Sequence, residues 1–443
     1  MDEQHAPAGS SSSHSGNLPG SDEVLARLRK LPGGNELLAV AAQRPDEVEL
    51  VGGAVRDILL GRTPRELDVV VESDATGFAQ TLAAQLQTLV GQDASARLET
   101  HLHDRFKTAL VRWAGGEVDI ATRRSESYAS PGALPEIAQG TPEQDLTRRD
   151  FTVNAIAFAL TGPLAGHLRS VPHALDDLAH GELRVLHERS FIEDPTRLLR
   201  LARYAARLDF KAEPHTAELA EQAVNASAIS TVSGARVGAE LRLALTETDP
   251  LASMRELARL GVLGALHPLK RLDEGLVQSA LSLLNGCSVR VDLLVFASLL
   301  LPQDAGTDSR TVEEARVMLD RLEFPAGDRD RVIACIAAAT RLAARLAATS
   351  VPSRLYSLLA GVPLEGVALA GATGGSRAAV NARRWIQELS HVRLQITGDD
   401  LIAAGVPVGP EIGRRLSATL DHRLDGRLAP GREAELRCAL EGK

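Results

Sequence analysis

Aromatic side chains are scarce in this sequence: only 3% of its residues are Phe, Trp or Tyr, although 44% are hydrophobic. A core without rings has to be built from Leu, Ala and Val, a palette that favours helices. Cysteine is nearly absent. Cys287, Cys335 and Cys438 stand far apart without metal-ligand spacing, so they read as small buried residues of a reducing compartment. Lysine is down to a handful, and nearly all positive charge is arginine. The net charge of −9 excludes a chain that holds nucleic acid by its overall charge; any such contact must come from local basic patches. Long apolar runs are missing too. Val291–Leu301 is the most apolar stretch, but it contains Asp292 and is too short to span a bilayer. No basic-then-apolar pattern opens the sequence, so a cytoplasmic protein with no membrane partner is expected.

What is present divides into two halves of different rhythm. The 443 residues suggest two to four domains. Residues 1–21, rich in Ser, Gly, His and Pro, read as a disordered tail. Short strand patterns follow at Val48–Val51, Leu67–Glu72, Ala96–Leu102, Lys107–Trp113 and Glu117–Thr122. A helix at Phe78–Val90 sits among them, with Phe78, Leu82, Leu86 and Val90 at helical spacing. These predict a small α/β palm ending near Leu160. Beyond it the pattern is helical throughout, punctuated by Pro, Gly and Asp, with no fixed repeat.

Three constellations carry chemistry. In Val51–Glu72, Gly52 and Gly53 form a turn at the end of a strand, and a short helix follows. Such a turn brings backbone N–H groups close to an anion, and Arg56 adds a planar fork suited to phosphate oxygens. Glu66 and Asp68, two apart at the start of the next strand, share a face and can aim at one point. Taken alone, Gly-Gly is a turn and two such acids are a solvated strand edge. Asp119, in EVDIATRR, is a third carboxylate, on a strand that turns Val118 and Ile120 the other way. In DLTRRDFTVNAIAF, Arg148 and Arg149 beside Asp150 read equally as an ion-pair knot or as triphosphate ligands. In FIEDPTRLLRLARYAARLDF, Pro195 suits a first helical turn and Asp194 an N-cap. Arg197, Arg200, Arg203 and Arg207 then form one basic stripe, with Leu198, Leu201, Ala205 and Leu208 on the other side. Such a stripe is usually a solvated face, but an Asp acceptor next to an Arg donor can also match the edge of a nucleobase.

Together, and in this order, GGAVRD…ELDVV, VDIATRRSESYASPGALPE, DLTRRDFTVNAIAF and EDPTRLLRLARYAAR resemble the class II tRNA nucleotidyltransferases. That family contains CCA-adding enzymes and bacterial poly(A) polymerases. VSGARVGAEL and ITGDDLIAAGVPVGPEIGRRL are similar to its neck and tail. The resemblance implies an α+β protein: a nucleotidyltransferase head at 22–162, then an all-helical neck at 163–247, body at 248–392 and tail at 393–443. It implies that Gly53 and Arg56 hold the triphosphate and that Glu66 and Asp68 carry Mg²⁺. Asp119 would activate the RNA 3′-hydroxyl, with Arg148 and Arg149 at the nucleotide. Asp194 and Arg197 would select C or A, with Arg200 and Arg203 nearby. The implied partners are tRNA, ATP and CTP.

Two departures stand out. Glu66 takes a place where the family has Asp; its extra methylene shifts the carboxylate, and Mg²⁺ tolerates poor geometry badly. The run Ser170–Leu178, SVPHALDDL, lacks the family's Asp-Pro and Gly-Gly. Three readings stay open: a tRNA nucleotidyltransferase, a poly(A) polymerase, and an RNA-binding relative whose catalytic centre has decayed at Glu66. An attached His-Asp phosphohydrolase is rejected, because the only His followed directly by Asp is His103-Asp104 and no helical His/Asp set is found downstream.

Overall fold

A computed structural model of the chain describes residues 18–90, 98–103, 107–266, 272–302 and 309–441. The chain falls into two compact units, Met1–Val232 and Ser233–Lys443. The expected neck, 163–247, straddles that division. Residues 1–17 of the stretch 1–21 expected to be disordered, and Asp104 of the His-Asp pair, lie outside the described residues.

The first unit is mixed. Two short helices, α1 (Ser21–Leu28) and α2 (Gly34–Ala41), precede β1 (Val48–Val51), α3 (Gly53–Leu59) and β2 (Leu67–Val71). Then come α4 (Ala75–Val90), β3 (Glu99–His103), β4 (Thr108–Trp113) and β5 (Gly116–Thr122). A hairpin, β6 (Arg124–Ser127) and β7 (Glu136–Gln139), leads to α5 (Pro142–Thr147), β8 (Ile156–Ala159) and β9 (Leu168–Ser170). Next are α6 (Ala174–His180), β10 (Glu182–Leu183), α7 (Ser190–Glu193) and α8 (Thr196–Leu208), followed by β11 (Lys211–Ala212) and α9 (Pro214–Asn225).

The main sheet runs β3-β4-β5-β2-β1-β8-β9. Only β2 and β5 pair in parallel within it; the other neighbours are antiparallel. The β-branched runs explain the strands: LDVVV in β2 leaves every residue but Asp68 buried. Val118 and Ile120 are fully buried, as the alternation of β5 predicts. α4 lies against β3, β4 and β5 with Phe78, Leu82 and Leu86 inaccessible. It begins three residues earlier than the apolar spacing indicates, because Asp74, at φ 54°, accepts a 2.9 Å hydrogen bond from the Gly77 N–H. The sheet also continues past Leu160, since β9 pairs with β8. The departing run Ser170–Leu178 forms an ordered entry to α6: His173 adopts φ 68°, and buried Asp177 accepts 2.6 Å from Thr152 Oγ1 and binds Arg184.

The second unit is helical throughout its described residues. With few rings available, its helices approach closely through small side chains. A methyl at Gly371 would lie 2.6 Å from Ala382 Cβ, and one at Gly374 would lie 2.7 Å from the Ala343 carbonyl. The central helix Ala326–Ala348 packs against Leu364–Thr373 and Gly375–Gln387. Helix Val291–Leu299 is buried from Leu293 onward, which accounts for the apolar run. The C-terminal segment has its own core of Ile396, Leu401, Val406 and Ala439. Fully buried Glu435 there pairs with Arg423 at 3.0 Å and accepts from the Gln395 N–H. Among the described residues no single helix is long and apolar enough to cross a membrane. The pair Pro352–Leu359 and Leu364–Thr373 meets that test only jointly and across a 118° bend.

Candidate active site

The parallel pairing of β2 with β5 sets the geometry of the site. Its register places Asp68 directly beside Asp119. Side chains opposite each other on parallel neighbours share a face, so both carboxylates rise from one side of the sheet. Glu66 precedes the first residue of β2 by one position. These acids crowd one another. Burial pushes Asp68 up to about 7, reinforced by Glu66 and Asp119, while Arg149 and Arg56 only partly offset the rise. Glu66 is raised too, by burial and then by Glu117 and Asp119, against the pull of Arg207 and Arg203. Glu117 is itself paired with Arg112.

The Gly52–Gly53 turn lies against this row. Gly52 has φ 65°, which a side chain would strain. A methyl there would stand 2.6 Å from Arg149 Nη1 and 3.7 Å from Asp68 Oδ2. At Gly53 it would stand 3.5 Å from Arg56 Nη2 and 3.7 Å from Asp68 Oδ2. The turn, Asp68 and two guanidiniums therefore meet at one place.

Arg56 is not an open fork. It is 1% exposed. Its Nε donates to Asp57 Oδ1 at 2.8 Å and its Nη1 to Asn154 Oδ1 at 2.5 Å. Arg148 and Arg149 are both ion-paired with Asp145, but they are held differently. Arg148 is the knot: it binds Asp145 Oδ1 through Nε and Nη2, and Glu126 Oε1 through Nη1 at 3.0 Å. Arg149 is tied to Asp145 Oδ2 by Nη2 at 3.0 Å, its Nη1 lies over Gly52, and its Nε is buried without a hydrogen-bond partner. Burial would raise Asp145, but Arg149 and Arg148 outweigh it and hold the carboxyl below its ordinary range. Asp150 accepts from the Phe151 N–H at 2.8 Å and looks away from its neighbouring arginines. It takes Arg200 at 2.7 Å and Asn154 Nδ2 at 2.9 Å.

Helix α8 starts at Thr196, one residue later than the capping pattern suggests. Asp194 still caps it, accepting from the Thr196 N–H at 3.1 Å and Thr196 Oγ1 at 2.6 Å. The arginine stripe is not a solvated face. Arg197 is 4% exposed and Arg203 is 6% exposed. Arg197 Nη2 donates to the Arg148 carbonyl at 2.9 Å, and its Nη1 is buried without a hydrogen-bond partner. Arg207 reaches Asp57 Oδ2 at 3.1 Å. One network thus runs from α3 through Asn154 and Asp150 to α8. Its linking acids and amide, Asp57, Asp145, Glu126 and Asn154, were not singled out from sequence. The only hint was that Asp57 adjoins Arg56 and that Asn154 stands four residues after Asp150.

Residues 48–184 match the model of the poly(A) polymerase head domain. A CC-adding tRNA nucleotidyltransferase of Deinococcus radiodurans is 32% identical over 410 residues, covering 92% of this chain and 93% of that protein. The chain belongs to the tRNA nucleotidyltransferase family. An A-adding tRNA nucleotidyltransferase of Geobacter sulfurreducens is 33% identical over 417 residues, 89% of this chain but 45% of that longer protein. The chain therefore spans less than half the length of that relative. The CCA-adding enzyme of Thermotoga maritima, solved in complex with tRNA, shares the fold with a TM-score of 0.71 and 27% identity. That likeness covers 96% of this chain and 98% of that one. The α+β architecture with a nucleotidyltransferase head and a helical remainder is that of the family.

Proposed function

We propose that this chain is a template-independent tRNA nucleotidyltransferase that adds C, A or both to tRNA 3′ ends from CTP and ATP. The observation that carries the reading is the pairing of Asp68 with Asp119 beside the Gly52–Gly53 turn and Arg149. Nucleotidyltransferases of this family generally use a divalent metal. The donor set suits Mg²⁺, a hard cation that takes one or two carboxylates and completes its shell with substrate phosphates. Glu66 and Asp68 would hold it. Bound there, the cation would neutralise charge on the phosphates and the developing oxyanions.

The side chains divide the remaining work. Asp119 takes the proton of the RNA 3′-hydroxyl as its oxygen attacks the α-phosphorus in line, and pyrophosphate leaves. The N–H groups of the Gly52–Gly53 turn and Arg149 bind phosphate oxygens. Arg148 supports this from behind by fixing Asp145. Asp194 and Arg197 read the base edge, with Arg197 set by its bond to the Arg148 carbonyl. The four-part division into head, neck, body and tail remains part of this reading, with the helical parts holding tRNA.

The test is incorporation of labelled CTP and ATP, separately and together, into tRNA transcripts lacking CCA, ending in C, or ending in CC. Both Mg²⁺ and Mn²⁺ would be supplied. C, A or CCA addition supports the proposal and names its branch. Long A tails on any RNA would make the chain a poly(A) polymerase. No incorporation with either metal would overturn the transferase reading.

A further inference from the structure

The stretch YASPGALP, residues 128–135, joins β6 to β7 and takes no part in the chemistry above. Its centre is a tight turn. Ala133 donates its N–H to the Ser130 carbonyl at 3.1 Å, Pro131 presets the first corner, and Gly132 takes the second at φ 71°. This turn is pressed against the segment that leads into α8. The Gly132 N–H donates to the Glu193 carbonyl at 3.1 Å, and a methyl on Gly132 would stand 2.3 Å from Thr231 Oγ1. Glu193 is the last residue of α7 and directly precedes Asp194. The bond therefore fixes the backbone beside one of the two side chains proposed to read the base edge.

The start of the same stretch reaches the second of them. Tyr128 is half-buried, and its hydroxyl donates to Glu126 Oε2 at 3.3 Å. Glu126 Oε1 receives Arg124 Nε at 3.2 Å and Arg148 Nη1 at 3.0 Å. The Arg148 carbonyl in turn accepts from Arg197 Nη2 at 2.9 Å. Burial raises the Tyr128 phenol, Arg197 lowers it, and Glu126 and Asp194 raise it, so the hydroxyl lies within electrostatic reach of both readers. Arg197 Nη1, buried without a hydrogen-bond partner, is the donor whose aim matters.

We propose that the β6–β7 connection positions the base-reading pair, with Gly132 setting Asp194 through the Glu193 carbonyl and Tyr128 setting Arg197 through Glu126 and Arg148. The inference rests on the reading of Asp194 and Arg197 as that pair, and deepens it. A donor and an acceptor tell one base from another only while their spacing holds, because a displaced pair leaves polar groups unpaired whichever base enters. The rival is a connection that only closes its hairpin. Such a turn adds stability and treats all bases alike.

The test uses the full chain with Tyr128→Phe, Gly132→Ala and, as reference, Arg197→Ala. Calorimetry gives the affinities for CTP, UTP, ATP, GTP and inorganic tripolyphosphate. Incorporation of each nucleotide into tRNA transcripts gives kcat/KM, and the unfolding midpoint reports the fold. Tyr128→Phe removes one hydroxyl and keeps the ring. It is expected to lower the preference for the accepted base by about fivefold, the worth of one hydrogen bond, with tripolyphosphate binding unchanged. Gly132→Ala strains the turn and crowds Thr231, and is expected to lower the preference by about tenfold. Should Gly132→Ala fail to fold, Tyr128→Phe decides. A preference lost in Arg197→Ala but kept in Tyr128→Phe would overturn the proposal. So would an equal loss of affinity for tripolyphosphate and all four nucleotides. No preference in the unaltered chain, or an unchanged one in Arg197→Ala, would overturn the base-reading pair and this inference with it.

Discussion

Asp68 and Asp150 are both enclosed carboxylates of the first unit, and they are displaced in opposite directions. Burial raises both. For Asp68 the neighbours add to it: Glu66 and Asp119 press against the charge, and the carboxyl is pushed up to about 7. For Asp150 the neighbours win: Arg200, Asn154 and Arg197 pull the carboxyl down to about 2. Asp150 is 7% exposed, while Asp68 keeps more access to solvent. Depth therefore does not separate them. The company of each acid does: Asp68 stands among acids, and Asp150 is held by arginine and an amide.

The sharpest way to test this contrast is to remove each charge and read both activity and stability. Asp68→Asn is expected to cut nucleotide incorporation by about a thousandfold or more, since several kcal/mol of charge stabilisation depend on it. It is expected to leave the unfolding midpoint no lower than that of the unaltered chain, because it relieves a crowded row of acids. Comparable incorporation by Asp68→Asn would sink the cation assignment. A clear drop in its stability would show that Asp68 is a structural acid after all.

Asp150→Ala should behave in the reverse order. It leaves the Arg200 guanidinium and the Asn154 amide without their buried acceptor. The expected cost is about 3–5 kcal/mol, read as a lowered denaturant midpoint. A smaller, reversible version follows from pH. A carboxyl held near 2 in the folded chain against an ordinary value of 3.8 stabilises the fold fully above 3.8. That contribution is lost as pH falls through the folded value, a change of about 2 kcal/mol between pH 5 and pH 2. Asp150→Asn should therefore flatten the acid limb of the stability curve by about that amount. An unchanged limb would mean that Arg200 does not hold Asp150 in solution.

Both acids stand in motifs that the sequence displays, but their opposite roles are hidden there. Local spacing reveals Glu66 and Asp68 as one face of a strand, and alternation separates Asp119 from Val118 and Ile120. It cannot reveal that β5 is the parallel neighbour of β2, since strand pairing is a long-range fact. What covers the arginine stripe is hidden for the same reason. A spacing of three and four residues describes a helix face, but what covers that face comes from elsewhere. Asp150 and Asp57, the acids that receive Arg200 and Arg207, lie 50 and 150 residues away in the chain. Without them the spacing alone cannot tell a solvated stripe from a buried one. The helical second unit was legible in outline because Ala- and Leu-rich periodicity is local, and the start of α4 was missed because a single Asp74 cap outweighed the apolar spacing.

The smallest expected effect falls between the two acids, at Gly52. Arg149 binds Asp145 with one arm, lies over Gly52 with the other, and lowers the cost of charge on Asp68. Gly52→Ala would set a methyl 2.6 Å from Arg149 Nη1 in a backbone conformation, φ 65°, that alanine adopts only with strain. The strain is on the order of 1–2 kcal/mol, and the guanidinium has to move aside to receive the methyl. Because the change touches the Gly52–Gly53 turn, proposed to bind phosphate, and leaves the Asp150 joint alone, it should raise nucleotide KM by about tenfold. The acid limb of the stability curve should keep its shape. If KM for CTP and ATP stayed put, Arg149 would be a brace for Asp145 alone. If the acid limb changed as well, the two acids would belong to one coupled network, and the contrast between an acid crowded by acids and an acid paired with arginine would have to be given up.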